Sequence, residues 1–542
     1  MPYQTVANKI IKESIKSAVF IDENALPFYS ETSPIEIYEE TLSKELYENF
    51  KSIGITLAIQ KFEVGNEEDI KLKHYLFNSR DLVLLDWKLN GNEGEEFSLK
   101  LLSDVVIAEH INFCVIYTSE FQTDNIYANI ITYFSGKSVT DYEKIKGDFE
   151  AYEDELKPIF EKFNLFDNSV NEPLIKKILE LGADFKSSLD EIDKNICEAF
   201  RHLKIAFSQY HKSPKSILYS IGSFENRTLL INNTIVTIVN KDSNNSSKDA
   251  LIFIERFSSN IIKTDFSYTH LLGLELKNKL LATGAYIDSE FFNVKKETLA
   301  FHRKQILDEY KSDLSFRELL KNVYLEQASL KLSNTELQIL DSKIFDAIDS
   351  ADIPKASELA AMNVYYNSLK LKTDDKKLDF GDVFIDENKS YYLCITALCD
   401  CIRPSKTDYI FYFAKGTSMT IDTAIQLGDT AFISFISKDK AVVWSNIDKV
   451  EVKEKEAKQL DLEQFKYKPV YIKPITYLVE NPSIIENKIN LARIYQYENK
   501  KGDLEFMELQ YVTTIKPTYA QRISNHAFTH PIRIGVDFVK KN

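Results

Sequence analysis

The chain has 542 residues, 44% hydrophobic and 27% charged, with a formal net charge of −15. That length exceeds one ordinary core and implies about three domains, while the acidic balance argues against a nucleic-acid binder, which needs clustered Lys and Arg. No apolar stretch is long enough to span a bilayer, no basic segment with an apolar core opens the sequence, and five scattered cysteines do not make a disulfide framework; a cytoplasmic protein is expected.

The first apolar run, Ser17-Ala-Val-Phe-Ile21, passes straight into Asp22-Glu23. Ile35 to Phe50 has helical spacing and Ile53 to Ile59 reads as a second strand, so Pro27 to Gln60 is expected to hold an enlarged first crossover. Next, Leu82 to Leu85 forms the continuous apolar run of a strand covered on both faces. Asp86 ends that run, and Asn90-Gly91 supplies a tight turn beyond it. A third run, Phe113-Cys-Val-Ile-Tyr117, ends in Thr118-Ser119.

Ligands collect outside the carboxyl ends of the strands in a doubly wound parallel sheet. Three strand tips carrying an acidic pair, a lone Asp and a hydroxyl therefore describe a hard-cation site beside a nucleophile. Magnesium takes oxygen ligands and keeps several waters, so two or three carboxylates suffice. A carboxylate on such an ion can attack phosphorus and become an aspartyl phosphate, with a hydroxyl and a lysine stabilising the transferred oxygens.

In these residues the first 150 or so positions resemble the receiver domain of two-component response regulators. The resemblance implies Asp86 as phosphoacceptor, and Asp22, Glu23, Asp86 and the backbone carbonyl of Lys88 as ligands of Mg2+. It implies Thr118 as the hydroxyl that contacts the phosphoryl group. It also asks for a lysine on the fifth strand; Lys146 lies at a suitable distance after Thr118, with Lys144 and Lys157 as alternatives. The implied partner is a sensor histidine kinase.

The expected fold is thus α/β: an amino-terminal doubly wound parallel-sheet (receiver, flavodoxin-like) domain, a helical α+β middle region and a β-rich carboxyl-terminal domain. The boundaries read as 1–165 for the receiver, 166–215 for a helical connector, 216–370 for the mostly helical α+β part and 371–542 for the β-rich part. Asn171 to Gln209 has apolar spacing of three and four, and such a helix either pairs with a second copy, giving a homodimer, or packs on its own domain. Thr228 to Ile231 and Thr234 to Val239, joined by Asn232-Asn233, read as a hairpin, and Asp249 to Phe257 as a further apolar stretch of the same strand-rich region. Thr298 to Leu332 is helical with a break near Ser312. His270 and Glu275 are better read as a boundary pair than as a metal site. Leu378 to Phe384, Ser390 to Thr396 and Tyr409 to Phe413 alternate as short strands towards a small barrel or sandwich. Cys394, Cys399 and Cys401 lack a nearby fourth zinc ligand, so core packing is the better reading of Cys394.

No phosphate loop, nucleophile elbow or zinc-hydrolase motif occurs in the chain. Residues 1–150 hold 26 acidic and 14 basic side chains, so most of the negative charge sits there, serving either solubility or a basic partner. As a whole the chain resembles the stand-alone receiver protein of bacterial antiphage two-component defence systems (Detocs-like). That resemblance implies a kinase that senses infection, a separate receiver-containing effector, and a sink role for this protein. The competing expectation is an interaction module whose carboxyl-terminal domains respond to phosphorylation.

Overall fold

The computed structural model describes residues 2–26, 38–78, 80–91, 94–107, 111–120, 123–134, 221–224, 228–241, 249–262, 267–282, 293–310, 313–346, 354–371, 376–428, 432–444, 472–494 and 504–528, with isolated positions in 154–162. The expected connector Asn171 to Gln209 lies outside them. The chain divides into two compact units, Met1–Tyr286 with Gln327–Ile348, and Ile287–Glu326 with Asp349–Asn542.

The first unit opens with helix α1 (Pro2–Ser14) and then alternates: β1 (Ser17–Asp22), α2 (Tyr38–Ser52), β2 (Thr56–Lys61), α3 (Ile70–Phe77), β3 (Leu82–Leu85), α4 (Glu95–Val106), β4 (Asn112–Thr118) and α5 (Thr123–Phe134). Later come β5 (Ile221–Phe224), β6 (Thr228–Ile231), β7 (Thr234–Asn240), α6 (Asp249–Ile261) and α7 (Ser267–Ala282). The strands form one sheet in the order β2-β1-β3-β4-β7-β6-β5. Its first five strands are parallel, and β6 and β5 extend it antiparallel beyond β7. A parallel sheet is thus assembled from strands far apart in sequence: β7 pairs with β4 although more than a hundred residues separate them. The fifth strand of the sheet therefore lies well beyond residue 165. The hairpin expected over Thr228–Val239 is present, and its second strand is that fifth strand.

Successive side chains of a strand point to opposite faces, and the core divides accordingly. Ala18, Phe20, Leu84, Val115 and Tyr117 pack with Leu46 and Phe50 of α2, Phe253 and Phe257 of α6, and Leu271 of α7. Val19, Ile21, Leu85, Cys114 and Ile116 pack with Leu102 of α4 and Ile130 of α5 on the other side. Both faces are covered, which explains the unbroken apolar runs. Asp249 to Phe257 is helical rather than extended: Ala250, Phe253, Ile254, Phe257 and Ile261 recur at helical spacing and are all buried. The extra helix α1 is tied to this face by Asn278, whose amide donates to the Ile10 carbonyl at 3.1 Å and to Ser14 Oγ at 2.9 Å.

In the second unit, β9 (Asp382–Ile385), β10 (Tyr391–Cys394), β11 (Ile410–Met419), β14 (Pro474–Leu478), β15 (Lys488–Ile494) and β16 (Leu504–Ile515) run antiparallel in the order β10-β9-β16-β15-β14-β11. Strand β11 pairs back onto β10, which closes a barrel. Short β8 (Ser368–Leu369) joins β16, and β12 (Ile433–Ser437) and β13 (Lys440–Val443) continue from the far end of β11. Closure removes the free edges of the ring. Its interior is aromatic, with Phe384, Phe411, Phe413, Tyr477 and Tyr511 in one cluster. Helices at Lys296–Tyr310, Asp313–Ser333 and Ala356–Asn367 precede the barrel in sequence.

Candidate functional site

Four neighbouring parallel strands, β1, β3, β4 and β7, each end in a polar residue. Asp22 is the last residue of β1 and Thr118 the last of β4, while Asp86 and Lys241 come one step after β3 and β7. The sheet ladder sets these positions. The Asp86 N–H donates to the Ile21 carbonyl at 3.0 Å, and the Lys241 N–H to the Thr118 carbonyl at 2.7 Å. All four side chains are buried or nearly so; Asp22 is 2%, Asp86 7% and Thr118 1% exposed, and the Lys241 side chain 5%. The Lys241 ammonium lies 2.7 Å from Asp22 Oδ2 and 2.8 Å from Asp86 Oδ1.

The loop behind Asp86 is fastened on several sides. Trp87 and Leu89 are buried anchors. The Ser98 hydroxyl, on α4, lies 2.8 Å from both the Asp86 and Trp87 carbonyls. At Gly94 a Cβ would lie 2.1 Å from the Leu89 carbonyl oxygen, so only glycine lets the loop return this closely to α4. Glu23 Oε2 accepts from the backbone N–H of Asn90 at 2.5 Å and of Gly91 at 2.9 Å. On the opposite lip, Lys88 Nζ pairs with Glu120 Oε1 at 2.6 Å, and the Glu120 N–H donates to Thr118 Oγ1 at 3.1 Å.

Two carboxylates share one ammonium here, so the pocket carries a surplus negative charge. Burial pushes the Asp86 carboxyl up to about 7; Lys241 pulls it back, while the charge on Asp22 adds to the rise. Burial opposes the charge on Lys241, yet Asp86 and Asp22 outweigh it and hold the ammonium above its usual value. Surplus charge between two convergent carboxylates suits a hard cation with oxygen ligands. Among the described residues no three His, Cys, Asp or Glu side chains converge as a cage. Asp22 and Asp86 converge, with the Lys88 carbonyl two residues on as the remaining expected ligand, whereas Glu23 is turned to the Asn90-Gly91 turn.

The structure thus brings together Asp22, Asp86 and Thr118, and places Glu23 and Lys88 on the loops around them. Lys146, Lys144 and Lys157 lie outside the described residues. Lys241 stands where the fifth-strand lysine was sought, and sequence reading passed it over. The signal was present: Thr234 to Val239 is an apolar run that ends, like the other three, in a polar tip. Elsewhere, Glu275 accepts from the backbone N–H of Gln338 at 2.8 Å and of Ile339 at 3.0 Å, which makes it a cap for the turn Gln338–Leu340. Cys394 and Cys401 are buried in the barrel and Cys399 is exposed.

The family model for the response receiver domain matches residues 14–162. The amino-terminal region carries a response receiver domain. The match ends before β7, so the strand and lysine that complete this receiver sheet lie outside the matched segment. No curated protein and no solved structure matches the chain. A receiver implies phosphoryl acceptance within a two-component system and a histidine-kinase type of partner. None of the helices among the described residues is long and apolar enough to cross a membrane.

Proposed function

We propose that this protein accepts a phosphoryl group on Asp86 from the phosphohistidine of a partner kinase. The observation that carries the reading is the convergence of Asp22, Asp86 and Lys241 at the carboxyl ends of adjacent strands, with Thr118 on the strand between β3 and β7. A carboxylate oxygen of Asp86 attacks phosphorus as the P–N bond to the donor imidazole breaks; the imidazole keeps the electron pair and picks up a proton. Lys241 and the Thr118 hydroxyl then meet the oxygens of the transferred group, stabilising their charge. Asp22, Glu23, Asp86 and the Lys88 carbonyl would hold Mg2+, which when bound neutralises charge on the phosphoryl oxygens. The loop ties at Ser98 and Glu23 keep the nucleophile in place, and its burial limits water. The role as a phosphate sink in bacterial antiviral defence, and the separate effector that goes with it, rest on the resemblance of the whole chain alone.

The test is incubation of the full-length protein with phosphoramidate, a small P–N donor, and magnesium, read by intact mass and by lability of the adduct to hydroxylamine. One phosphoryl group on wild type and none on Asp86→Asn is expected. Equal labelling of both proteins would refute the assignment.

A further inference from the structure

We infer that Ser98 is a positioning residue for the acceptor: its hydroxyl fixes the Asp86–Trp87 peptide so that the Trp87 N–H is aimed at the Asp86 carboxylate. The inference rests on the reading of Asp86 as acceptor and adds how its carboxylate is held. Ser98 is the fourth residue of α4 and is fully buried. A serine inside a helix commonly donates back to the carbonyl four residues earlier. Ser14 does so on α1, reaching the Ile10 carbonyl at 2.7 Å. For Ser98 that carbonyl, on Gly94, is 3.5 Å away, while those of Asp86 and Trp87 are both at 2.8 Å. The hydroxyl proton therefore serves the loop that follows β3, not its own helix.

The consequence for Asp86 follows from the planarity of the peptide. In a trans peptide the C=O and the next N–H point in opposite directions, and the described chain has no cis bond. With the Asp86 carbonyl held on Ser98, the Trp87 N–H points away from that hydroxyl, and there it donates to the Asp86 carboxylate. On the other side of the residue, the Asp86 N–H is held by the Ile21 carbonyl at 3.0 Å. Both peptide units that flank the acceptor are thus pinned, one by β1 and one by α4. The close return of the loop at Gly94 brings α4 within reach for this. Removing the hydroxyl takes that partner from two carbonyls and frees the Asp86–Trp87 peptide to rotate. The nucleophile shifts, while every group that touches the phosphoryl donor stays.

The experiment uses the full-length protein in four forms: wild type, Ser98→Ala, Ser98→Thr and Ser14→Ala. Labelling rate is measured against phosphoramidate concentration at saturating magnesium, per folded protein from urea denaturation, together with hydrogen exchange at the Trp87 amide. Ser98→Ala should lower the maximal rate about tenfold, the scale of a misplaced reacting group, and leave the half-saturating phosphoramidate concentration within about twofold. Exchange at the Trp87 amide should rise about tenfold or more. Ser98→Thr keeps the hydroxyl and should restore both rate and protection. Ser14→Ala deletes a comparable buried bond far from the acceptor in sequence, and should cost stability with the rate unchanged. A wild-type rate in folded Ser98→Ala would overturn the inference, as would an equal slowing in Ser14→Ala. Should either Ser98 variant fail to fold, Ser98→Cys, near in size and a weaker donor, replaces it; an intermediate rate is then expected, and a wild-type rate overturns the inference. If wild type takes no phosphoryl group, the acceptance reading falls, and exchange at Trp87 still decides whether Ser98 holds the peptide.

Discussion

Two buried aspartates, each paired with a lysine, invite comparison. In the barrel, Asp382 is fully buried; Lys376 Nζ lies 2.5 Å from its Oδ2, the Asp379 N–H donates to the same oxygen at 2.8 Å, and the Thr514 hydroxyl donates to Oδ1 at 2.6 Å. In the receiver, Asp86 and Asp22 divide a single ammonium between them. Burial pushes the carboxyl of both Asp382 and Asp86 upward, so burial alone does not set a reactive carboxylate apart. The count of compensating charge does. One carboxylate on one lysine, with both oxygens satisfied, is a closed structural unit. Two carboxylates on one lysine leave a negative charge unmatched, which on the proposed reading is met by Mg2+.

The comparison breaks most visibly at Lys241. Lys241→Met keeps much of the stem and removes the charge, and acceptance by Asp86 should fall by about a hundredfold, the usual loss when one stabilising donor is taken from a developing charge. Lys146→Met should leave the rate at the wild-type level. The measurement is the initial rate of phosphoramidate labelling. An equal loss in both variants, or a loss confined to Lys146→Met, would move the lysine role away from β7.

How much of this was open to the sequence depends on whether the signal is local. The runs ending at Asp22, Asp86 and Thr118 were legible because a doubly covered strand is a short, unbroken apolar segment with a polar tip. The hairpin at Thr228–Asn240 was legible for a similar reason, since Asn232-Asn233 marks its turn. Its membership of the receiver sheet was not, because parallel pairing between β4 and β7 leaves no turn signal. Counting forward from Thr118 at an ordinary crossover length led to Lys146 and away from Lys241. The helix at Asp249–Ile261 was misread because six of its first nine residues are apolar or aromatic, which hides the helical period in a short window. Closure of the barrel through β10 and β11 likewise depends on contacts that no local pattern encodes.

Stability should separate the two aspartates in the opposite sense from activity. Asp382→Ala leaves Lys376 without its partner beside the barrel core, and a buried pair broken on one side typically costs about 3–5 kcal/mol. Chemical denaturation read from Trp444, in the second unit, should report that loss, with labelling at Asp86 unchanged for the protein that remains folded. Asp86→Asn removes a carboxylate whose charged form is disfavoured in the fold, so it should stabilise the first unit at neutral pH. A barrel unmoved by Asp382→Ala would mean that the closed pair adds nothing to stability.

The pH dependence carries the same contrast. The folded carboxyl of Asp86 is raised to about 7 from the ordinary 3.8. The folded state therefore keeps a proton that the unfolded state has released between those values. Its contribution to stability is fully present below the ordinary value and is lost as pH rises through about 7. Subtracting the Asp86→Asn curve from wild type should isolate this slope. Acceptance runs the other way, because the nucleophile must be ionised and Mg2+ held there would favour the ionised form, so the magnesium concentration needed for labelling should rise as pH drops. A magnesium requirement that stays the same from pH 6 to 8 would place the ionisation elsewhere.

The smallest expected effect comes from a third pair, at the opposite end of the same sheet. Lys277 Nζ lies 2.9 Å from Asp81 Oδ1, with the two side chains 30% and 15% exposed. The other oxygen of Asp81 accepts from the backbone N–H of Lys16 at 2.9 Å and of Ser17 at 3.1 Å. These bonds fasten the start of β1 to the start of β3 whether or not the lysine is present. Lys277→Ala should therefore cost only about 0.5–1 kcal/mol, the range for a partly exposed pair after solvent screening, and labelling should not change. Asp81→Ala, which removes the backbone acceptor as well, should cost more than Lys277→Ala. The reverse order would show that the ion pair, not the backbone tie, is what holds this end of the sheet.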